Sequence, residues 1–254
     1  MDSPPFPDLV LSGVCWIELG AGADGARQPN AVFKPQLYNE VRCSFPCAHK
    51  IDRYRSIGIG MILGRSNGVW LNEPERWTAK GDTLELATDK GTDFWRETHY
   101  GFNRDSGHFL GFPTGEAFTA ELRVQGDFRA LYDQAGIMVR IDDHHWVKAG
   151  IEFSDGRAML ASVLTHGQSD WATAPYEQDA GDFRIRATVA NGVLRLQTSA
   201  DGKLWPLMRL APFAKASSYL VGPMACTPER AGLKIVFSTF CLMPPLGKDL
   251  HDLA

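Results

Sequence analysis

The stretch Leu131–Phe153, LYDQAGIMVRIDDHHWVKAGIEF, decides the fold. It reads as two strands around the turn DDHH. Side chains alternate across a strand, so Ile137, Val139 and Ile141 share one face of the first strand, with Met138 and Arg140 on the other. In the second strand Val147, Ala149, Ile151 and Phe153 oppose Trp146, Lys148, Gly150 and Glu152. One face is wholly apolar and is assigned to a core between two sheets. The other mixes Met138, Arg140, Trp146, Lys148 and Glu152 around the gap at Gly150, and is assigned to the back of the sheet. Two readings of that face stay open. Arg140 or Lys148 pairs with Glu152 across the strands and confers solubility, worth about 0–1 kcal/mol if exposed. Alternatively the face reads a ligand, with the aromatic ring stacking on it and the charges fixing its orientation.

The same alternation continues outward. DTLELAT, AFTAELRV, FRIRATV, VLRLQTS and LKIVFSTFCLM all carry period-two patterns. Lys90-Gly91, Asp155-Gly156, Asn191-Gly192 and Asp201-Gly202 separate the runs, and such pairs supply the positive φ of tight hairpins. The spacing predicts eleven or twelve strands after residue 65, in two packed antiparallel sheets. No amphipathic helix of three turns is present; DFRALYDQ makes at most one short turn. Residues 1–65 are aperiodic and read as a partly irregular N-terminal extension, with SIGIGMILG as a candidate strand. Residues 66–254 read as one β-sandwich domain.

The bulk numbers bound the function. A chain of 254 residues with 44% hydrophobic and 22% charged residues is an ordinary globular composition. A net charge of −4 offers no basic field for nucleic acid. No apolar run approaches a membrane span. The start, MDSPPFPDLV, is acidic and proline-rich, so no signal peptide and a cytoplasmic setting are expected. The five cysteines form no disulfide framework and read as free thiols, with a metal site at Cys43, Cys47 and His49 as the weaker alternative. Neither a Walker loop, a Rossmann fingerprint nor a nucleophile elbow occurs, and no cofactor is expected.

Several elements together resemble one family. These are Tyr132-Asp133-Gln134-Ala135-Gly136, the run Trp146 to Glu152, Asp155-Gly156 and Ser169-Asp170-Trp171, with LNEPERW, TDFWRETHYGF and GHFLGF upstream. They are similar to the regulation-of-enolase-like family of uncharacterised β-sandwich proteins of fungi and bacteria, within the concanavalin A-like lectin/glucanase superfamily. The resemblance covers about residues 68–242. It implies a two-sheet jelly roll whose concave sheet carries the ligand, a regulatory and non-secreted role, and a cleft made of Trp95, His99 or Tyr100, Asp133, Gln134, Arg140, Trp146, Lys148, Glu152, Asp170 and Trp171.

Whether that cleft is catalytic stays open. Retaining glycosidases hold two carboxylates about 5–5.5 Å apart, whereas Glu152 stands alone on its strand. Asp133 or Asp170 approaching from elsewhere would complete a pair. Glu152 as acid/base, with Lys148 and Arg140 holding an anionic group, also fits a lyase, isomerase or cyclase. Asp142, Asp143, His144 and His145 read either as a solvated turn or as a divalent-ion site. Asp170 either caps a turn or lines the cleft, and Trp171 either covers the sheet edge or acts as a stacking platform. Three functions follow: a regulatory protein binding a small polar, glycan-like ligand, an enzyme using the same cleft, or a module for a protein partner.

Overall fold

The computed structural model describes Leu63 and residues 68–254. Apart from Leu63, the N-terminal extension, with its candidate strand and the Cys43, Cys47 and His49 group, lies outside the described residues.

The described residues form an all-β jelly roll of two seven-stranded antiparallel sheets. Across the first sheet the order is β1 (Val69–Leu71), β6 (His108–Thr114), β15 (Tyr219–Cys226), β8 (Gln134–Arg140), β9 (His145–Ser154), β10 (Arg157–His166) and β11 (Gln168–Pro175). Across the second it is β14 (Leu207–Pro212), β13 (Val193–Ser199), β12 (Asp182–Ala190), β7 (Phe118–Gly126), β16 (Lys234–Met243), β3 (Thr83–Ala87) and β2 (Arg76–Lys80). A separate hairpin joins β4 (Phe94–Arg96) to β5 (Asn103–Asp105). The described strands number sixteen, not eleven or twelve. Part of the excess is in three-residue strands such as β1, β4 and β5, too short to display an alternation.

The inter-sheet core is where the pattern puts it. Ile137, Val139, Val147, Ala149 and Ile151 from the first sheet pack with Leu122, Val124, Phe183, Ile185, Leu196 and Phe237 from the second. The turns Asp155-Gly156 and Asn191-Gly192 connect directly paired strands, and all four residues have positive φ, between 52° and 78°.

The back of the first sheet is not the solvated surface that one of its two readings expects. The segment 93–107, which contains β4 and β5, folds across it as a strap. Phe94 and Trp95 of the strap join Phe109, Met138, Trp146, Val163, Met224 and Cys226 in a second core on the outer face. Met138 is 0% and Trp146 1% exposed. The alternation assigned the faces correctly, but in β8 and β9 both faces are buried.

Candidate functional site

The outer face is built in rows by the strand register. Gln134 lies opposite Glu152, Gly136 opposite Gly150, Met138 opposite Lys148 and Arg140 opposite Trp146. The rows continue through β10 into β11, so that Lys148 pairs with Val163 and Val163 with Trp171.

The strap neutralises both cations of this face. The Arg140 guanidinium donates two bonds to the Asp105 carboxylate, at 2.8 and 2.9 Å. The Lys148 ammonium donates to Asp93 Oδ1 at 2.7 Å. Burial works against the Lys148 charge, but Asp93 foremost, helped by the other acids around it, holds its pKa above the usual lysine value. The strap is fastened at its far side by Arg96, whose backbone N–H donates to Ser169 Oγ and whose Nε donates to the Gly167 carbonyl. Arg140, Lys148 and Trp146 therefore brace the strap, and the expected pairing of Arg140 or Lys148 with Glu152 gives way to pairing with strap aspartates. Trp146 packs against Phe94 with ring centroids 6.0 Å apart and presents no face for stacking a ligand.

Two other expected cleft residues are turned elsewhere. Asp133 is fully buried and accepts from Arg230 Nε at 2.8 Å and from the backbone N–H groups of Arg129 and Ala130 at 3.0 Å. It fixes the loop before β8 and, by strand alternation, faces away from Glu152. Asp170 borders the cleft, but its carboxylate accepts from Arg209 of the second sheet at 2.7 Å. Neither carboxylate is free to form a catalytic pair with Glu152. In the turn before β9, Asp142 Oδ1 accepts from the N–H groups of His144 and His145, both at 2.8 Å, which is the locally satisfied turn. Among the described residues no group of three or more His, Cys, Asp or Glu is arranged to hold a metal ion.

What remains accessible is an aromatic cleft of about 690 Å³ lined by Trp95, Thr98, His99, Tyr100, Gln168, Ser169, Asp170 and Trp171. Trp95 meets Tyr100 and Trp171 edge-on, with centroids 5.5 and 6.4 Å apart. Tyr132 was not foreseen as a site residue. Its ring comes within 6.5 Å of Trp171, and its hydroxyl lies 3.4 Å from that of Tyr100. That contact and burial push the Tyr132 phenol up to about 12. Glu97, His99 and Tyr132 all hold left-handed φ values, of 58°, 64° and 60°. Non-glycine residues rarely adopt that conformation, and when they do they gather at functional sites.

Beside the cleft, a slot of about 10 Å³ lies over Gly150 and is lined by Gln134, Lys148, Glu152, Ala161, Val163 and Met224. Gly136 and Gly150 face each other so closely that a Cβ on either would collide with the opposite backbone, at Ala149 O or Ala135 O. Glu152 is 4% exposed, and its Oε1 has no hydrogen-bond partner. Burial raises its carboxyl to about 7; Lys148 opposes that rise, while Asp93 and Asp155 add to it.

A family model described as a protein of unknown function (DUF1349) matches residues 70–245. The chain belongs to this family. It is 65% identical over 189 residues to "Regulation of enolase protein 1" of Saccharomyces cerevisiae, covering 74% of this chain and 96% of the yeast protein. A crystal structure of a functionally unknown Saccharomyces cerevisiae protein superposes with a TM-score of 0.70 at 64% identity, over 71% of this chain and 97% of that one. The GH43 protein BlXynB of Bacillus licheniformis superposes with a TM-score of 0.51 at 15% identity, over 68% of this chain and 35% of that one. At that identity the likeness is one of fold alone. No helix of the described residues is long and apolar enough to cross a membrane.

Proposed function

We propose that this DUF1349 protein binds a small polar, glycan-like ligand in the aromatic cleft at the strap, and that this binding serves a regulatory role. The observation that carries the reading is the grouping of Trp95, Tyr100 and Trp171 around one open cleft, whose lip is held by strained non-glycine residues. Trp171 and Tyr100, 39% and 47% exposed, offer ring surface that can stack on the apolar face of a sugar, with the buried Trp95 as the floor between them. Gln168, Thr98 and His99 supply polar groups at the rim. The regulatory part draws on the name of the yeast relative. A non-secreted, reducing setting is consistent with the buried free thiol of Cys226.

The test is titration calorimetry against a panel of mono- and oligosaccharides and sugar phosphates, repeated with Trp171→Ala. Trp171 is 39% exposed, so its removal should leave the fold intact and weaken the binding of a stacked ligand at least tenfold. If no saccharide binds, or if Trp171→Ala binds as well as the natural protein, the cleft reading fails and a protein partner takes its place.

A second reading, acid–base chemistry at Glu152, rests on its carboxyl lying at about 7, the range a general acid or base needs. The slot beside Glu152 has room for about one water molecule, and Lys148 is committed to Asp93. Both facts favour binding over turnover.

A further inference from the structure

We propose that Gln134 and Glu152 form a hydroxyl-binding subsite beside the aromatic cleft, taking one neutral hydroxyl group of the ligand. The proposal rests on the cleft reading above and adds the chemistry of a second contact point. Gln134 and Glu152 are direct cross-strand partners, on the same face and each more than nine-tenths buried. Neither satisfies the other. Glu152 Oε1 has no partner, and the Gln134 side-chain amide makes no hydrogen bond among the described residues. Buried polar atoms are nearly always paired, so Glu152 Oε1 calls for an occupant of the slot, and the Gln134 amide, which lines the same slot without a hydrogen bond of its own, is placed to share it.

The geometry selects the occupant. The slot has about 10 Å³, room for one water-sized group, because the opposed glycines and Ala161 leave its floor bare. A hydroxyl donates to Glu152 and accepts from the Gln134 amide, using both free groups with one atom. An ammonium could donate to both side chains, but it is opposed by the charged Lys148, which lines the same slot. A carboxylate has no proton for Glu152 and is opposed by its charge. Glu152 pairs with Met159 and Met159 with Pro175, so the subsite lies two strand spacings, about 10 Å, across and four residues, about 13 Å, along the strands from Trp171, and a ligand stacked on Trp171 reaches it as an extended oligomer.

The groups that act on Glu152 are Lys148 on its own strand, Asp93 on the strap, Asp155 in the following turn, Tyr132 ahead of β8 and Cys226 on β15. A hydroxyl donating to the ionised carboxylate favours that form, so its binding lowers the Glu152 titration midpoint.

The experiment is NMR on the full chain, following the Gln134 side-chain amide and the Glu152 carboxyl carbon. Glycerol is the probe, with acetate and methylammonium as charged controls. The expected result is a saturable response of both signals to glycerol alone and a lower Glu152 midpoint in its presence. Gln134→Leu and the near-isosteric Glu152→Gln should each weaken the response at least tenfold, while Gly247→Ala, where an added Cβ meets nothing within 4 Å, leaves it unchanged. The proposal is overturned by silence toward glycerol, by a non-saturating drift, by a midpoint that stays or rises, or by a charged probe acting in its place. Because the slot and the aromatic cleft share no lining residue and glycerol is too small to span both, failure here is distinguishable from failure of saccharide binding in the cleft.

Discussion

The Lys148 ammonium lies 2.7 Å from the Asp93 carboxylate, joining the centre of the first sheet to the strap across its outer face. Lys148 is 3% exposed, so the pair is removed from water. Breaking such a pair from one side strands a buried charge, at a cost of about 3–5 kcal/mol, whereas replacing both partners by apolar groups is often close to neutral. Asp93→Ala should therefore destabilise by that amount in urea unfolding. The double variant Lys148→Met, Asp93→Leu should recover most of it. A double variant no more stable than the single one would show that the strap depends on the charges themselves.

Glu152 makes stability depend on pH. Its carboxyl is raised from 4.5 to about 7 in the folded state. Between those values the native protein binds more protons than the unfolded chain, so its stability falls as pH rises through that window and levels off above it. A shift of this size corresponds to something on the order of 3 kcal/mol. Glu152→Gln should flatten the decline between pH 4.5 and 7 and make the protein more stable than its parent at pH 8. Identical unfolding profiles for the two proteins across that range would rule out a raised Glu152.

Gly136 and Gly150 oppose each other where two strands approach closely, and an added Cβ on either meets backbone rather than a movable side chain. Backbone cannot yield without parting β8 from β9. Gly150→Ala should cost more than about 3 kcal/mol, beyond the usual range for overpacking. Gly247→Ala, where an added Cβ meets nothing within 4 Å, is the control and should be near neutral. Equal melting temperatures for the two variants would contradict the close approach.

The period-two runs carried the fold because burial of one face is written into alternate residues. The inner-face residues Ile137, Val139, Val147 and Ile151 were readable for that reason. The burial of the outer face was not. Its mixed residues, Met138, Arg140, Lys148 and Glu152, look like a solvated surface, and their cover comes from β4 and β5, some forty residues earlier in the chain. Asp93 and Asp105 therefore escaped notice as the partners of Lys148 and Arg140, since nothing local ties them together. The family resemblance places Asp133 and Asp170 in the cleft. Strand alternation, applied to Ala135, turns Asp133 to the inner face, while Asp170 does line the cleft, with its carboxylate held by Arg209. Tyr132 belongs to a motif that carries the family resemblance, but its place at the cleft is not legible there, because it depends on a left-handed backbone that tyrosine rarely adopts.

Phe94 locks the strap. It is 0% exposed, packs on Trp146, and sits so close to Gly107 that a Cβ there would strike its ring. Truncating a fully buried phenylalanine costs about 3–5 kcal/mol. In Phe94→Ala that loss falls on a hairpin of two three-residue strands held otherwise by ion pairs and a few hydrogen bonds. The strap should then open locally before the sandwich unfolds. Limited proteolysis should cut Phe94→Ala within the exposed stretch 97–104 at a rate the parent does not show, while the circular dichroism of the two sheets is retained. Trp146 fluorescence should shift to the red as its cover is lost. Saccharide binding should weaken with it, because Trp95 and Tyr100 ride on the same strap. Cleavage that appears only together with global unfolding would mean that the strap and the sandwich are one cooperative unit.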